Sequence, residues 1–279
     1  MNGKPYIPVK AVVRYPGAKW SIAPWIVSFF PAHRTYIEPF FGSGAVLFTK
    51  PPSEHEVIND TYGAVVNLFR MIREHGEELA QLVAATPWSR AEFANSYIAA
   101  GDSLEAARRF LVRLWQGYGS RIREHNGWRN RKHADGPDHT LTWHHLPSRL
   151  QAAMNRLKRV EIEQKPALEV IRRFSDDPDC LIYADPPYVL STRNMRKLYM
   201  YEMTDSDHIE LLDALKAHKG PVVLSGYPSA LYDKYLSHWQ QVTIQAMTNS
   251  GEKRTEVLWL NPDAVKKRQL SLYDNNHTD

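Results

Sequence analysis

The run Leu181-Ile182-Tyr183-Ala184 is apolar without alternation, and Asp185-Pro186-Pro187-Tyr188 ends it at once. A short continuous apolar run reads as a buried strand, since a strand with one wet face would alternate. Proline cannot donate to a sheet ladder, so the strand stops and delivers a carboxylate, Asp185, at its end. Pro186 and Pro187 fix their own φ at about −65°. They also drive Asp185 towards extended backbone and hold the Pro186 carbonyl in one direction. An acceptor side chain, a fixed acceptor carbonyl and the flat ring of Tyr188 suit a planar ring bearing an amino group. Taken alone, the tetrapeptide fits a proline turn carrying a surface aspartate equally well.

Other segments repeat the pattern of a short strand delivering chemistry at its end. A strand at Thr35-Tyr36-Ile37 runs into Glu38-Pro39-Phe40-Phe41-Gly42-Ser43-Gly44, whose glycines permit a tight turn and close backbone approach before a helix. This resembles the nucleotide-binding turn of a doubly wound sheet without the full glycine fingerprint. Glu56-Val57-Ile58-Asn59 is the next strand. It ends in Asp60, 18 residues after Gly42 and so close to where a ribose-binding carboxylate belongs. Asp60 could equally cap the helix expected over residues 61–73. Upstream, Pro16-Gly17 marks a turn beside Arg14, Tyr15 and Lys19, followed by an apolar, Pro24-interrupted helix over residues 19–30.

Residues 75–158 change character, with helical spacing over 76–85, 91–100, 104–116 and 147–158. Between Arg108 and Lys132 stand eight basic residues and one acid, Glu124, so this segment carries +7 while the rest of the chain carries −3 of the net +4. Within it, Tyr118, Asn126 and Trp128 are interleaved with Arg121, Arg123, Arg129, Arg131 and Lys132, and glycines flank them. That mixture suits phosphates and bases better than a merely solvated face does. Five histidines lie nearby (His125, His133, His139, His144, His145), without cysteine partners or a zinc spacing, and no metal site is expected.

The α/β rhythm then returns. Strands are expected at Val160–Glu163, 181–185 and 221–225, with helices at 167–174 and 205–218, the latter capped by Thr204. The segments 241–246 and 256–260 alternate as paired strands around a hairpin at Gly251-Glu252-Lys253-Arg254. The tail beyond Pro262 is polar and expected to be mobile. The single cysteine, Cys180, excludes an internal disulfide and reads as a buried inert thiol. The first ten residues lack a signal peptide's apolar stretch, and no run reaches the roughly 18 apolar residues of a membrane span. A cytoplasmic protein is the default expectation.

The ordered motifs Tyr15-Pro16-Gly17-Ala18-Lys19, Ile37-Glu38-Pro39-Phe40-Phe41-Gly42-Ser43-Gly44 and Asp185-Pro186-Pro187-Tyr188 resemble those of DNA adenine-N6 methyltransferases of the Dam type. Weaker similarity continues through Asn59-Asp60, Gly117-Tyr118, Leu224-Ser225 and the region 251–260. The resemblance implies an α/β fold: a Rossmann-like methyltransferase sheet, mostly parallel, with a C-terminal antiparallel hairpin. It divides the chain into a discontinuous catalytic domain (1–74 and 159–265), an inserted, mainly helical target-recognition domain (75–158) and a polar tail (266–279).

It further implies S-adenosylmethionine as cofactor, contacted by Tyr15, Lys19, Asp60 and Asp185. The loop carrying Glu38, Pro39, Phe40, Gly42 and Gly44 would lie beneath its methionine portion. Asp185 and the Pro186 carbonyl would accept the two amino hydrogens of the target base, with Pro187 stiffening the turn and Tyr188 stacking on the base. The implied partner is double-stranded DNA, held by Arg14, Tyr118, Arg121, Arg123, Asn126, Arg129, Arg131 and Lys132.

Two departures stand out. Family members often carry Trp-Ala-Gly-Gly-Lys at the first motif, and the basic hairpin places Arg123 at a base-contacting position but Arg121 where an apolar wedge belongs. The recognised sequence is therefore not implied. Nor is the choice among a homodimer, a companion restriction endonuclease or an orphan enzyme, bacterial or phage-encoded. Cytosine-N4 or RNA-adenine methylation, and a DNA-binding module without catalysis, remain alternatives.

Overall fold

A computed structural model describes residues 6–120, 125–131, 133, 135–192, 200–247 and 253–275. Seven strands form one sheet: β1 (Thr35–Glu38), β2 (His55–Asn59), β3 (Val160–Glu163), β4 (Cys180–Ala184), β5 (Val222–Gly226), β6 (Gln240–Met247) and β7 (Lys253–Leu260). Their spatial order is β3-β2-β1-β4-β5-β7-β6. The first five are parallel, β7 runs antiparallel to β5, and β6 pairs antiparallel with β7. The mostly parallel sheet with an antiparallel end agrees with the sequence expectation. Gly251 and Glu252 of the expected hairpin lie outside the described residues.

Every residue of β1, β4 and β5 is buried, which is why β4 and the start of β5 read as continuous apolar runs. Successive side chains point to opposite faces and feed two cores. Tyr36, Leu181, Tyr183 and Val223 join one core; Ile37, Ile182, Ala184, Val222 and Leu224 join the other. The first core also takes in the helices α1 (Ala23–Val27), α2 (Ala45–Thr49), α3 (Gly63–Ala85), α4 (Arg90–Asn95), α5 (Ser103–Gln116), α6 (His139–His144) and α7 (Leu146–Leu157). The second is covered by α8 (Ala167–Arg173), α9 (Asp205–Ala217) and α10 (Ala230–Tyr235). No described helix is long and apolar enough to cross a membrane.

Five expectations need adjustment, the first being the helix expected over 19–30, which is confined to Ala23–Val27 and has Pro24 in its first turn rather than interrupting it. The two helices expected over 61–73 and 76–85 are one element, α3, broken only at His75 (φ −130°, ψ 31°). Just past this break, a Cβ on Gly76 would meet the Met154 side chain at 2.8 Å, so the glycine lets α3 and α7 pack closely. The helix expected over 91–100 is shorter, Arg90–Asn95, and α6 and α10 were not foreseen. Finally, the tail does not leave the fold at Pro262: Pro262–Asn275 is a helix, α11, and Ala264 is fully buried. Asn261 Oδ1 accepts from Val222 N and Ala264 N, both at 2.9 Å, and its Nδ2 donates to Gly220 O. One side chain thus caps the helix and ties it to β5.

Beneath the sheet edge, Glu56 of β2 is held by two cations. Arg156 of α7 donates from Nη2 to Oε1 at 2.8 Å and from Nη1 to Oε2, and Lys50 Nζ lies 2.6 Å from Oε1. Burial alone would raise the Glu56 pKa, but Arg156 and Lys50 outweigh it and the net shift is downward. All three side chains are 5% exposed or less. Breaking such a buried network leaves unpaired charge, at a cost of about 3–5 kcal/mol. Glu56→Ala is therefore expected to lose about that much in denaturant unfolding, whereas Glu54→Ala, which breaks the exposed Arg34–Glu54 pair, should lose less than about 1 kcal/mol. The Glu56 contribution should be present at neutral pH and fade as acid protonates the carboxylate.

Candidate active site

The chain reverses direction across the sheet between β1 and β4. In a doubly wound sheet, ligands bind there, outside the carboxyl ends of the strands. At this place the loop after β1 and the turn after β4 come together with the turn at Pro16-Gly17.

Ala18 N donates to Tyr15 O at 3.1 Å, closing a turn in which Gly17 has φ +70°. Proline second and a positive-φ glycine third is the type II pattern. The turn aims Lys19 inward. Its Nζ donates to Gly17 O at 2.9 Å, lies 3.0 Å from Asp185 Oδ2 and sits 4.7 Å from the Tyr188 ring centroid. Lys19 is 6% exposed and Asp185 18%. Asp185 Oδ1 is buried and has no hydrogen-bond partner. Burial raises the Asp185 pKa; Lys19 opposes this and Glu256 adds to it.

The loop after β1 is pinned to the end of β2. Phe41 N donates to Asn59 O and Gly42 N to Asp60 Oδ2, both at 2.9 Å. Asp60 Oδ1 accepts from Tyr62 N at 2.8 Å, so both carboxylate oxygens serve backbone and each keeps further lone-pair capacity. Asp60 does not cap α3 itself, whose N-cap is Tyr62. Burial raises the Asp60 pKa, against the two backbone bonds. Asn59 Nδ2 also donates to Pro39 O and Lys165 O, binding three loops with one amide. Gly42 has φ +51°, and a Cβ there would come within 3.3 Å of the Tyr15 ring.

Two adjoining pockets result. One, with an empty volume of about 450 Å³, includes Tyr15, Pro39, Phe40, Gly42, Asp60 and Asp185, with Tyr62 and Tyr201 on its rim. The other, of about 370 Å³, includes Tyr15, Lys19, Glu38, Phe40, Gly42 and Asp185. They meet at Tyr15, Phe40, Gly42 and Asp185. Of the residues expected to hold a cofactor, Gly44 lines neither pocket. It is the left-handed N-cap of α2 (φ 68°), packed beneath Phe41 and Phe48. Pro187 lines the first pocket, while Pro186 is buried.

The Tyr188 ring is only 6% exposed. Its hydroxyl donates to Glu256 Oε2 at 2.7 Å and lies 3.2 Å from Ser225 Oγ, and Tyr227 packs edge-on at 4.4 Å. The ring lies against Lys19, beside the Asp185 turn. Sequence reading missed Glu256, whose only signal was an acid at a buried position of an otherwise apolar strand end.

Part of the basic region is a hairpin stem. Gly117 bridges Trp128 antiparallel, Tyr118 N donates to Gly127 O at 2.9 Å and Arg129 N to Gln116 O at 2.7 Å. Tyr118 is half exposed, Asn126 N donates to Tyr97 Oη, and Arg131 pairs with Asp138 at 3.4 Å. Arg121, Arg123 and Lys132 lie outside the described residues. Arg14, directly before the pocket residue Tyr15, lies close enough to Arg129 to feel its charge.

A glycine loop, a strand-end carboxylate and a paired lysine thus meet in the switch-point cleft where α/β folds bind ligands. The chain belongs to a family of known chemistry: a model of the D12 class N6 adenine-specific DNA methyltransferase family matches residues 15–250. The resemblance to Dam-type enzymes is thereby a membership, and the chain is a DNA adenine methyltransferase by family.

Glu38 gives the site a pH signature. Burial above all, with the Asp185 charge adding, pushes its carboxyl up to about 8 from 4.5, although Tyr36 Oη donates to it at 2.8 Å. The folded state therefore holds this proton more tightly than the unfolded one, and stability declines as pH rises from about 4.5 to about 8. Glu38→Gln keeps the Tyr36 bond and removes the titration. Melting temperatures across this window should converge at the acid end and favour the variant increasingly towards pH 8. Parallel curves would mean that Glu38 is ionised throughout.

Proposed function

We propose that this chain transfers a methyl group from S-adenosylmethionine to N6 of an adenine flipped out of double-stranded DNA. The observation that carries the reading is Asp185: one carboxylate oxygen is held by Lys19, and the other is buried without a partner where two pockets meet. An adenine N6 lone pair is delocalised into its ring and is a poor nucleophile. Asp185 Oδ1 and the Pro186 carbonyl would each accept one amino hydrogen, which favours a more tetrahedral nitrogen with a localised lone pair. The site's contribution is positioning and preorganised electrostatics. Unpairing and unstacking the base costs a few kcal/mol, offset by contacts from the basic region.

The residues present fit the cofactor. Asp60 retains acceptor capacity for ribose hydroxyls, and the positive-φ loop at Gly42 allows backbone approach. Glu38, a carboxyl largely protonated at neutral pH, and the Lys19 cation offer polar partners for an amino-acid moiety in the second pocket. When bound, S-adenosylmethionine supplies an electrophilic methyl on a sulfonium. The segment 75–158 would read the target, with Arg123 at a base edge and Arg129, Arg131 and Lys132 on phosphates.

Tritiated-methyl transfer to DNA, followed by nucleoside analysis, tests the reading. Wild-type protein should yield N6-methyl-2′-deoxyadenosine; N4-methyl-2′-deoxycytidine alone, or no product, would overturn it. Asp185→Ala, shown by melting to be folded, should lose at least about 10²-fold in turnover. Retention of more than about a tenth would remove Asp185 from the role of amine acceptor.

A further inference from the structure

Three arginines from distant segments converge beside the cleft: Arg14, directly before Tyr15; Arg129, on the hairpin stem; and Arg149, on α7. Arg14 and Arg149 both lie over the indole of Trp115, with guanidinium carbons 4.6 and 5.8 Å from the ring centroid. Trp115 is 2% exposed and anchored by Nε1 donating to Val12 O at 3.0 Å. Arg149 Nη1 donates to Ala11 O at 3.1 Å, and Arg129 Nη2 to Gly117 O at 3.2 Å. Arg129 Nε is buried without a partner.

Among the described residues, no carboxylate pairs with any of the three. Elsewhere in the helical region, arginines do find acids: Arg108 with Glu92 and Glu105, Arg109 with Glu105, Arg131 with Asp138, Arg156 with Glu56. Three like charges, all half-buried, repel one another unless an anion joins them. Burial and the charges of Arg129 and Arg149 pull the Arg14 pKa down to about 10. Each planar guanidinium offers several donors in a fork that matches phosphate oxygens.

We propose that Arg14, Arg129 and Arg149 form a binding site for a single backbone phosphodiester of the DNA substrate, next to the cleft mouth. The site rests on the proposed DNA substrate and adds Arg149 to the residues that hold it. It positions the strand and reads no base, so its effect is the same for every sequence.

The experiment measures affinity of the full chain for a labelled 30-base-pair duplex of mixed sequence at several salt concentrations. Arg149→Gln should lower the slope of log affinity against log salt by about 0.9, the value of one phosphate contact. The wild-type advantage should then shrink about threefold between 50 and 200 mM salt. Duplexes carrying one neutral methylphosphonate at a time should reveal a position that weakens wild-type binding and leaves Arg149→Gln unaffected. Arg14→Gln should lose sensitivity at the same position, and Arg149→Lys should restore most of the slope.

An unchanged slope in both glutamine variants, with melting temperature and cofactor affinity as in wild type, would overturn the site. So would displacement of inorganic phosphate by Arg149→Gln without any effect on duplex binding, which marks a free-phosphate site. Failure of the function reading is separate: wild-type protein would then transfer no methyl, whatever the salt slopes.

Discussion

The ion pair between Lys19 and Asp185 joins the two halves of the site. Lys19 arrives from a turn near the start of the chain and Asp185 from the end of a central strand 166 residues later. A lysine this buried would be costly without compensation. The Gly17 carbonyl, the Asp185 carboxylate and the Tyr188 ring supply it together. Because the lysine satisfies only Oδ2, Asp185 is fixed in direction while Oδ1 stays available. A carboxylate with neither oxygen held would have no fixed orientation.

The sheet makes this meeting possible. Parallel strands β1 and β4 lie side by side, and their continuations turn to opposite sides of the sheet, leaving a crevice at their carboxyl ends. Asn59 and Asp60, one strand away, hold the β1 loop by its backbone, so the crevice floor is set by hydrogen bonds rather than by apolar packing alone. On the other flank, β7 brings Glu256 beneath Tyr188, which fixes the ring on which Lys19 rests. The antiparallel end of the sheet is thus coupled to the Asp185 turn.

Much of this was legible in the residues. Continuous apolar runs marked β4 and β5 because those strands are buried on both faces, whereas β1, with Thr35 and Glu38, was marked by the glycine loop after it. Prolines and glycines marked the turns because few residues adopt those backbone conformations. Contacts far apart in sequence left no local trace: nothing near Glu256 announces that it meets Tyr188, 68 residues away. The burial of the Tyr188 ring, likewise, is not announced by the tetrapeptide that carries it. The C-terminal helix is a different lesson, since Asn261-Pro262-Asp263 is a cap followed by proline at the first helical position and could have been read as a start signal. Polar composition beyond it hid the helix. The gap expected between residues 73 and 76 coincides with the break at His75; what the sequence hid is that the two pieces form one element, α3.

The most direct test of the Lys19–Asp185 arrangement is the single-turnover rate of methyl transfer to DNA by Lys19→Met, at saturating cofactor and DNA. If Lys19 fixes Asp185 for the target amine, the rate constant should fall by about 10²-fold even when cofactor is saturating, the scale expected of a misplaced catalytic group. A wild-type rate constant, with only the cofactor concentration needed for saturation increased, would show that Lys19 binds cofactor and that Asp185 needs no anchor.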